Sequence, residues 1–443
     1  MKTRMQRRML ALGTLGVTAI IALSGCGVSP DASGDVTPPA TDEPVTISLG
    51  WWGSDPRAQA TEAAVALFEE KYPNITVDTS YSDFSGYWDR LATQTAGGDA
   101  PDVSQMDMAY LSSYASRGTL ADLGALDSIL DTSGIPDSVL DSGLVDDTLY
   151  AAPIGAAANG VVINTTLLAQ YGIEIPDTDT WTWDDFDDLA LEVTEKSGGA
   201  SHGVTPFQND SFGLQVFARQ HGEELWDAEG QITVPPELVA EHFQKELDWV
   251  ESGAAASASQ VSDNGGATIS ESDIVTGKTA MFFTAAGAFN GIQLAAPDND
   301  YIIGNWPADS DTEPGFQYLK PTMYWSHSAT SEHPSEAALL VDFLINDEGV
   351  AELFGTERGV PANPSLQEVI EPTLTPQGVQ ALAFSRLMNE EAGEAPAITP
   401  NGASSVAQIL ARYNDEVLFG QTTPEDAAEG FIDELQASID AAG

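Results

Sequence analysis

Residues 45–57, VTISLGWWGSDPR, alternate apolar and polar side chains at period two and then run into two tryptophans, a glycine and an aspartate. Val45, Ile47 and Leu49 share one face of a predicted strand, and Gly53, Ser54, Asp55 and Pro56 force a loop directly after Trp51 and Trp52. The period then changes. Val65, Phe68 and Tyr72 fall three and four apart, predicting an amphipathic helix over residues 58–72 that Pro73 and Asn74 stop. Ile75, Val77 and Thr79 alternate again, so the opening unit is strand, helix, strand, which requires parallel pairing through a right-handed crossover. A helix over 87–95 closed by Gly97 and Gly98, then a strand over 101–107, continue the alternation. Open sheets of this kind bind ligands outside the carboxyl ends of their strands, where an indole can cover a ligand instead of filling the core. Trp51 is expected in the core and Trp52 in the site.

Later stretches repeat these signals. Thr182 precedes Asp184 and Asp185 as the N-cap of a helix whose first turn favours carboxylates. Residues 225–233 predict two short strands around Gly230, and Pro235 and Pro236 open a helix that ends near Gly253. The Ala-, Ser- and Gly-rich segment 253–266 predicts a surface loop, and 377–388, 406–418 and 424–441 predict closing helices. A chain of 443 residues, 42% hydrophobic, is too long for one core, so two lobes are expected.

Charge narrows the partners. The formal net charge of −52, from 68 acidic and 16 basic residues, repels nucleic acid and anionic membrane surfaces at long range. Lys2, Arg4, Arg7 and Arg8 precede an apolar run over 9–23, the pattern of an export signal. That run is shorter than the ~20 residues of a membrane span. Leu23-Ser24-Gly25-Cys26 resembles a bacterial lipoprotein box, which implies cleavage before Cys26 and a thioether lipid on it. Residues 1–25 are then the signal, and 26–44, rich in Ser, Thr, Pro, Gly and Asp, a flexible tether. Removing the signal takes the net charge from −52 to −56, and with Cys26 the only cysteine no disulfide is available.

The order of motifs after the tether carries a resemblance. A strand into W-W-G-x-D, a helix closed by K-Y-P-N-I, then A-G-G-D-A-P-D-V and a Ser-Arg-Gly-Thr-Leu turn resembles the extracellular solute-binding proteins of carbohydrate ABC importers, family 1, of the maltose-binding type. Tyr150 to Gly155 followed by Val161 to Asn164 resembles that family's first crossing between lobes, residues 277–283 its return strand, and Arg358-Gly359-Val360-Pro361 its late exposed turn. The resemblance implies an α/β, two-lobe periplasmic-binding-protein-like fold (type II), with mixed sheets flanked by helices and an interlobe cleft. Its expected boundaries are 45–155 plus 285–328 for the N-terminal lobe and 156–284 plus 329–443 for the C-terminal lobe. Further first-lobe strands are expected at 302–306 and 323–326, and hinges at 155–159, 284–287 and 327–330. The implied function is capture of a sugar or oligosaccharide and its delivery to a membrane permease, by a monomer anchored at the outer face of the cell membrane.

A sugar presents hydroxyls and apolar C–H faces, so its site needs aromatic platforms edged by polar side chains. Carried over residue by residue, the resemblance implies Trp52, Ser54, Asp55 and Arg57 on the first loop, Asp83 and Tyr87 on the second, and Gln105, Asp107 and Tyr110 on the third. It adds Asn159 from the crossing, Phe207, Gln208 and Phe217 from the second lobe, and Phe289, Tyr324, Trp325 and Arg358 from later segments. Each aromatic has a competing place in a core, and Asp83 and Asp107 a competing role as loop caps.

A secreted glycosidase also needs an aromatic cleft with two carboxylates, and 68 acidic residues supply such a pair whatever the function. A peptide or another non-sugar solute is the other alternative, since one fold serves many ligands. The sequence lacks G-x-S-x-G, H-E-x-x-H and any cysteine nucleophile, and its five histidines show no metal-ligand spacing. Gly277-Lys278-Thr279 lacks the first glycine of a phosphate loop, Ser272 standing there, and the Asp309-Ser310-Asp311 cluster lacks the spacing of a calcium loop. The expectation is a binding protein without cofactor or metal. Neutral sugars are preferred over uronates and phosphosugars, because Arg57, Lys320 and Arg358 are among few cations available to pair them.

Overall fold

The computed structural model describes residues 43–207, 211–265 and 267–442. The strands in chain order are β1 (Val45–Trp52), β2 (Ile75–Ser82), β3 (Val103–Met106), β4 (Leu144–Val145), β5 (Thr148–Leu149), β6 (Ala151–Ala157), β7 (Asn159–Asn164), β8 (His202–Thr205), β9 (Thr279–Ala285), β10 (Tyr301–Gly304), β11 (Lys320–His327) and β12 (Val360–Pro361). One sheet runs β12-β6-β11-β3-β1-β2, a second runs β10-β7-β9-β8, and β4 and β5 pair as a hairpin.

The opening pattern folds as its periods require. β1 lies parallel to β2 on one side and β3 on the other, joined by helices Asp55–Lys71 and Phe84–Gly97. On edge strand β2, Ile75 and Val77 are buried while Thr76 and Asp78 face solvent, whereas central β3 is buried throughout. Trp51 is fully buried and stacks on Tyr81 at 5.7 Å between ring centroids. Thr182 caps the Trp183–Ser197 helix in a reciprocal capping box with Asp185, and Trp181 and Trp183 are core residues.

The two sheets belong to two lobes, each with its own core. Phe68, Leu111, Tyr324 and Phe343 lie in the first; Trp183, Phe186, Phe283 and Trp306 lie in the second. The chain leaves the first sheet at the carboxyl end of β6, where Ala157 and Asn159 are separated by one residue, and returns at Lys320. β11 runs antiparallel to both β3 and β6, with Lys320 opposite Ala157, so departure and return share one edge. Helix Pro376–Glu391 then straddles the lobes: Ala381 packs with Phe289 and Ile292, Phe384 and Met388 with the first core.

These pairings correct the expected boundaries. Residues 285–304, expected in the first lobe, stay in the second, since β10 pairs with β7; β9, expected to lead the chain back, pairs with β7 and β8 and does not return it. Residues 334–361 belong to the first lobe: the Pro334–Asn346 helix buries Leu340, Val341 and Phe343 in its core, and β12 pairs with β6. The crossings between the sheets are therefore at 157–159 and 318–320, a third passage to the second lobe follows residue 361 by way of the helix Pro376–Glu391, and neither 284–287 nor 327–330 is a crossing. The error had a local cause. A strand of Met, Phe and Phe reads the same in either sheet, and only its partner assigns it. The expected loop 253–266 instead buries Ala254, Ala255 and Ala256 and forms the helix Ala258–Asn264.

A buried histidine gives the second core a pH dependence. His242 stacks on Phe207 at 4.8 Å, with Glu246 one turn on at 3.8 Å, too long for a hydrogen bond. Burial, with the Lys245 charge adding, pulls its pKa from 6.5 down to about 3. The unfolded chain then binds the proton more readily, so stability is lost as pH falls from about 6.5 toward about 3. Melting temperatures measured across that interval should fall less steeply for His242→Leu than for the parent chain; parallel curves would refute the assignment.

A candidate interlobe ligand site

Parallel pairing in register puts the ends of β1, β2 and β3 along one edge, with Trp52 opposite Ser82 and Gly50 opposite Ser104. A helix begins at each end, and three of the expected site residues are the caps. Asp83 Oδ1 accepts from Gly86 N–H at 3.0 Å, Asp107 Oδ1 from Ala109 N–H at 2.9 Å, and Ser54 Oγ from Arg57 N–H at 3.5 Å. Capping uses one oxygen of each aspartate, and among the described residues no hydrogen bond uses the second. The positive ends of the three helices converge on the same edge.

The aromatics divide unevenly. Trp52 is only 7% exposed, held by Phe84, Tyr87 and Trp88 at 5.4 to 5.6 Å between centroids. Phe84, not singled out in the sequence, is 45% exposed beside it, and half-buried Tyr110 stacks on Trp88 at 3.8 Å. Tyr87 is buried and donates its hydroxyl to the Gln105 carbonyl at 2.6 Å; burial raises its pKa, so that hydrogen bond is kept. Tyr324 likewise donates to the Ser142 carbonyl at 3.0 Å, and Trp325 is fully buried beside Arg358. Phe289 fills a small second-lobe core with Ile292, and Phe217 packs on His242. Phe84 and Tyr110 apart, these aromatics stand behind the surface.

The two expected arginines are also engaged. Arg57 Nε donates to Glu357 at 2.8 Å. Arg358 is 2% exposed, donating to Thr61 Oγ1 at 2.7 Å and to Gln105 Oε1, with its guanidinium 5.1 Å from Trp325 and 5.0 Å from Phe354. Burial first, and then the Arg57 charge, lower its pKa. The position is dictated by close packing: a Cβ on Gly155 would lie 2.6 Å from the Arg358 carbonyl oxygen, so only glycine lets β12 pair there. Asp55 accepts from Tyr81 Oη at 3.3 Å, and Asn159 accepts on its carbonyl from Gln317. Gln208 and Cys26 lie outside the described residues.

Two adjoining cavities lie at this edge, the first between the lobes and the second, Lys320 apart, lined by second-lobe residues. One, about 70 Å³, has Asp107, Met108 and Ala109 on the first-lobe side and Phe212, Gln215 and Trp226 on the second. The other, about 390 Å³, lies against Phe207 and the carboxyl end of β9 at Phe282 to Ala285. Phe212 and Lys320 border both. Of the residues expected from sequence, Asp107 and Phe207 line these cavities; Phe212, Gln215, Trp226 and Lys320 do so without having been assigned to the site. Their lobes were read from the sequence, but no motif singled these four side chains out. Among the described residues no group of three His, Cys, Asp or Glu side chains could hold a metal ion.

Two sheets, two cores and a cavity between them, lined from both sides, define a two-lobe binding protein. Residues 52–351 match the family model of bacterial extracellular solute-binding proteins, and the chain belongs to that family. An uncharacterized lipoprotein in the oleD 5′ region of Streptomyces antibioticus is 27% identical over 366 residues, 80% of this chain and 75% of that one. A family 1 extracellular solute-binding protein from Alicyclobacillus acidocaldarius superposes with TM-score 0.70 at 25% identity, over 90% of this chain and 99% of its own. An oligogalacturonide-binding protein from Yersinia enterocolitica, in complex with saturated digalacturonic acid, shares the fold with TM-score 0.77 at 23% identity, over 89% of this chain and all of its own.

The burial of Trp52 yields a stability test. Trp52→Ala is expected to lower the free energy of unfolding by about 3–5 kcal/mol, as for a truncated core aromatic. Phe84→Ala, half in solvent, should cost less than about 1 kcal/mol. Guanidinium titrations of both variants check this, and equal losses would show that Trp52 is not a core residue.

Proposed function

We propose that this chain is the capture subunit of an ABC importer for a carbohydrate, which it holds between its lobes and delivers to a membrane permease. The observation that carries the reading is the cavity walled by both lobes, with Asp107 from one side and Phe212 and Trp226 from the other, continued along the second lobe by a larger cavity against Phe207. Aromatic faces next to carboxylate and amide groups suit a molecule with apolar C–H faces and hydroxyls. The oligogalacturonide-binding neighbour supports the same class. Asp107 and Phe207 contact the ligand directly, and Ser54, Asp55, Asp83 and Tyr110 along the same strand edge extend the contact to longer sugars.

Ligand bound to both walls favours the closed arrangement in proportion to contacts made only there. The crossings at 157–159 and 318–320 are short and lie side by side in one sheet, which suits rotation of one lobe on the other. The chain acts as a monomer, held to the outer face of the membrane through a lipid on Cys26, and returns its ligand chemically unchanged.

A thermal-unfolding screen of residues 27–443 against sugars, peptides and buffer tests the proposal. A ligand at ~1,000 times its dissociation constant should add ~4 kcal/mol and raise the melting temperature by several degrees. Shifts confined to peptides would overturn the carbohydrate reading, and conversion of an oligosaccharide to shorter products would overturn the transport role.

A further inference from the structure

Lys320 is out of keeping with its surroundings. The chain carries 68 acidic residues and only 16 Lys and Arg, four of which precede residue 26. Eight of the others lie within 4.0 Å of a carboxylate. Arg358 is buried on an amide and a hydroxyl, Arg90 donates to the Tyr81 carbonyl, and Arg117, which also makes no ion pair among the described residues, is exposed on the surface and borders neither cavity. Lys320 has no carboxylate within that distance among the described residues, yet it borders both cavities. Its Nζ lies 5.6 Å from the centre of the Phe212 ring. In so acidic a protein, an ammonium in a cleft with no carboxylate beside it among the described residues is a group available for something that arrives from outside.

The backbone around it has the same polarity. Asp107, Met108 and Ala109 are the cap and first turn of the helix Met108–Ala115, and Ser211 and Phe212 begin the helix Ser211–Gln220. Val406 begins the helix Val406–Leu418, whose N-cap Ser405 makes no side-chain capping hydrogen bond. All three amino ends line the smaller cavity, two from the second lobe and one from the first. Each brings about half a positive charge to its end. Among the described residues two carboxylates border the cavities. Asp273 is committed to Lys278 at 3.3 Å and to Asn264, and Asp107 spends one oxygen capping its helix and makes no ion pair with Lys320.

Building on the carbohydrate reading, we infer that the ligand is an anionic sugar, a uronate or a sugar phosphate, whose charged group sits against Lys320 at the meeting of these three helix ends. The carboxylate or phosphate oxygens accept from Nζ, and Phe212 supports the adjoining apolar face. This reverses the preference for neutral sugars drawn from the scarcity of cations. Scarcity matters less than which cation is left unpaired, and where.

Calorimetric titration of residues 27–443, which contain every element described above, with digalacturonate, glucose 6-phosphate and maltose tests the inference. Binding of digalacturonate supports a carboxylate ligand and binding of glucose 6-phosphate a phosphate ligand. In either case Lys320→Gln should weaken binding roughly 30-fold or more, as for loss of one partner of a desolvated charge pair. Lys320→Arg should retain most of the affinity, and affinity should fall with added salt. Melting temperatures of both variants establish that they fold. Maltose bound in preference to the acids, with equal affinity in Lys320→Gln, would overturn the inference and leave the carbohydrate reading standing. Binding of none of the three sugars would count against both.

Discussion

The antiparallel pairing of β11 with β6 is the constraint on which the rest of the molecule depends. β6 carries the chain out of the first sheet and β11 brings it back, and the ladder between them sets Lys320 opposite Ala157. Because β6 points the same way as β3, the chain departs from the edge where β1, β2 and β3 also end. The loops, the helix amino ends and the crossings are thereby forced to one side of the first lobe, and the second lobe is built facing them. A cavity between the lobes follows from that single choice of strand direction, before any side chain is specified.

Side chains then sort by how far they stand from this edge. Trp51, Tyr324, Trp325 and Arg358 lie within or behind the first sheet and stabilise the lobe. Ser54, Asp83 and Asp107 stand at the strand ends, where capping a helix and facing a ligand are compatible for a group with two acceptor sites. Arg358 illustrates the difference between a charge that is present and a charge that is available: its guanidinium is enclosed by Thr61, Gln105, Trp325 and Phe354. Removing such a partnered buried charge leaves its partners unsatisfied, so it is retained for the fold whatever the ligand.

The second lobe supplies the apolar wall. Phe207 sits between the core residues Trp306 and Phe283 and the cavity, in contact with both worlds. A platform anchored from behind loses little freedom when a ligand stacks on it, which lowers the cost of binding. Helix Pro376–Glu391, packed against both lobes, ties this wall to the first sheet and restricts the lobes to motions that keep its two contacts.

The sequence by itself determined the local elements, because period-two and helical patterns, caps and breakers act over a few residues. The strand, helix, strand opening, the Thr182 cap, the core position of Trp51 and the helices closed by Gly98 and Gly253 were legible for that reason. The order of motifs also carried the family. Only the tertiary structure decided which sheet received β9 and β10, which lobe owned residues 334–361, and which cation was left unpaired in the cleft. Those outcomes depend on partners far away in the chain: Phe282 and Phe283 would suit either sheet, and Lys320 reaches the cavities only because β11 pairs with β6. Hydrophobic burial is non-directional, so a local pattern fixes that a residue is buried; pairing across the fold fixes where.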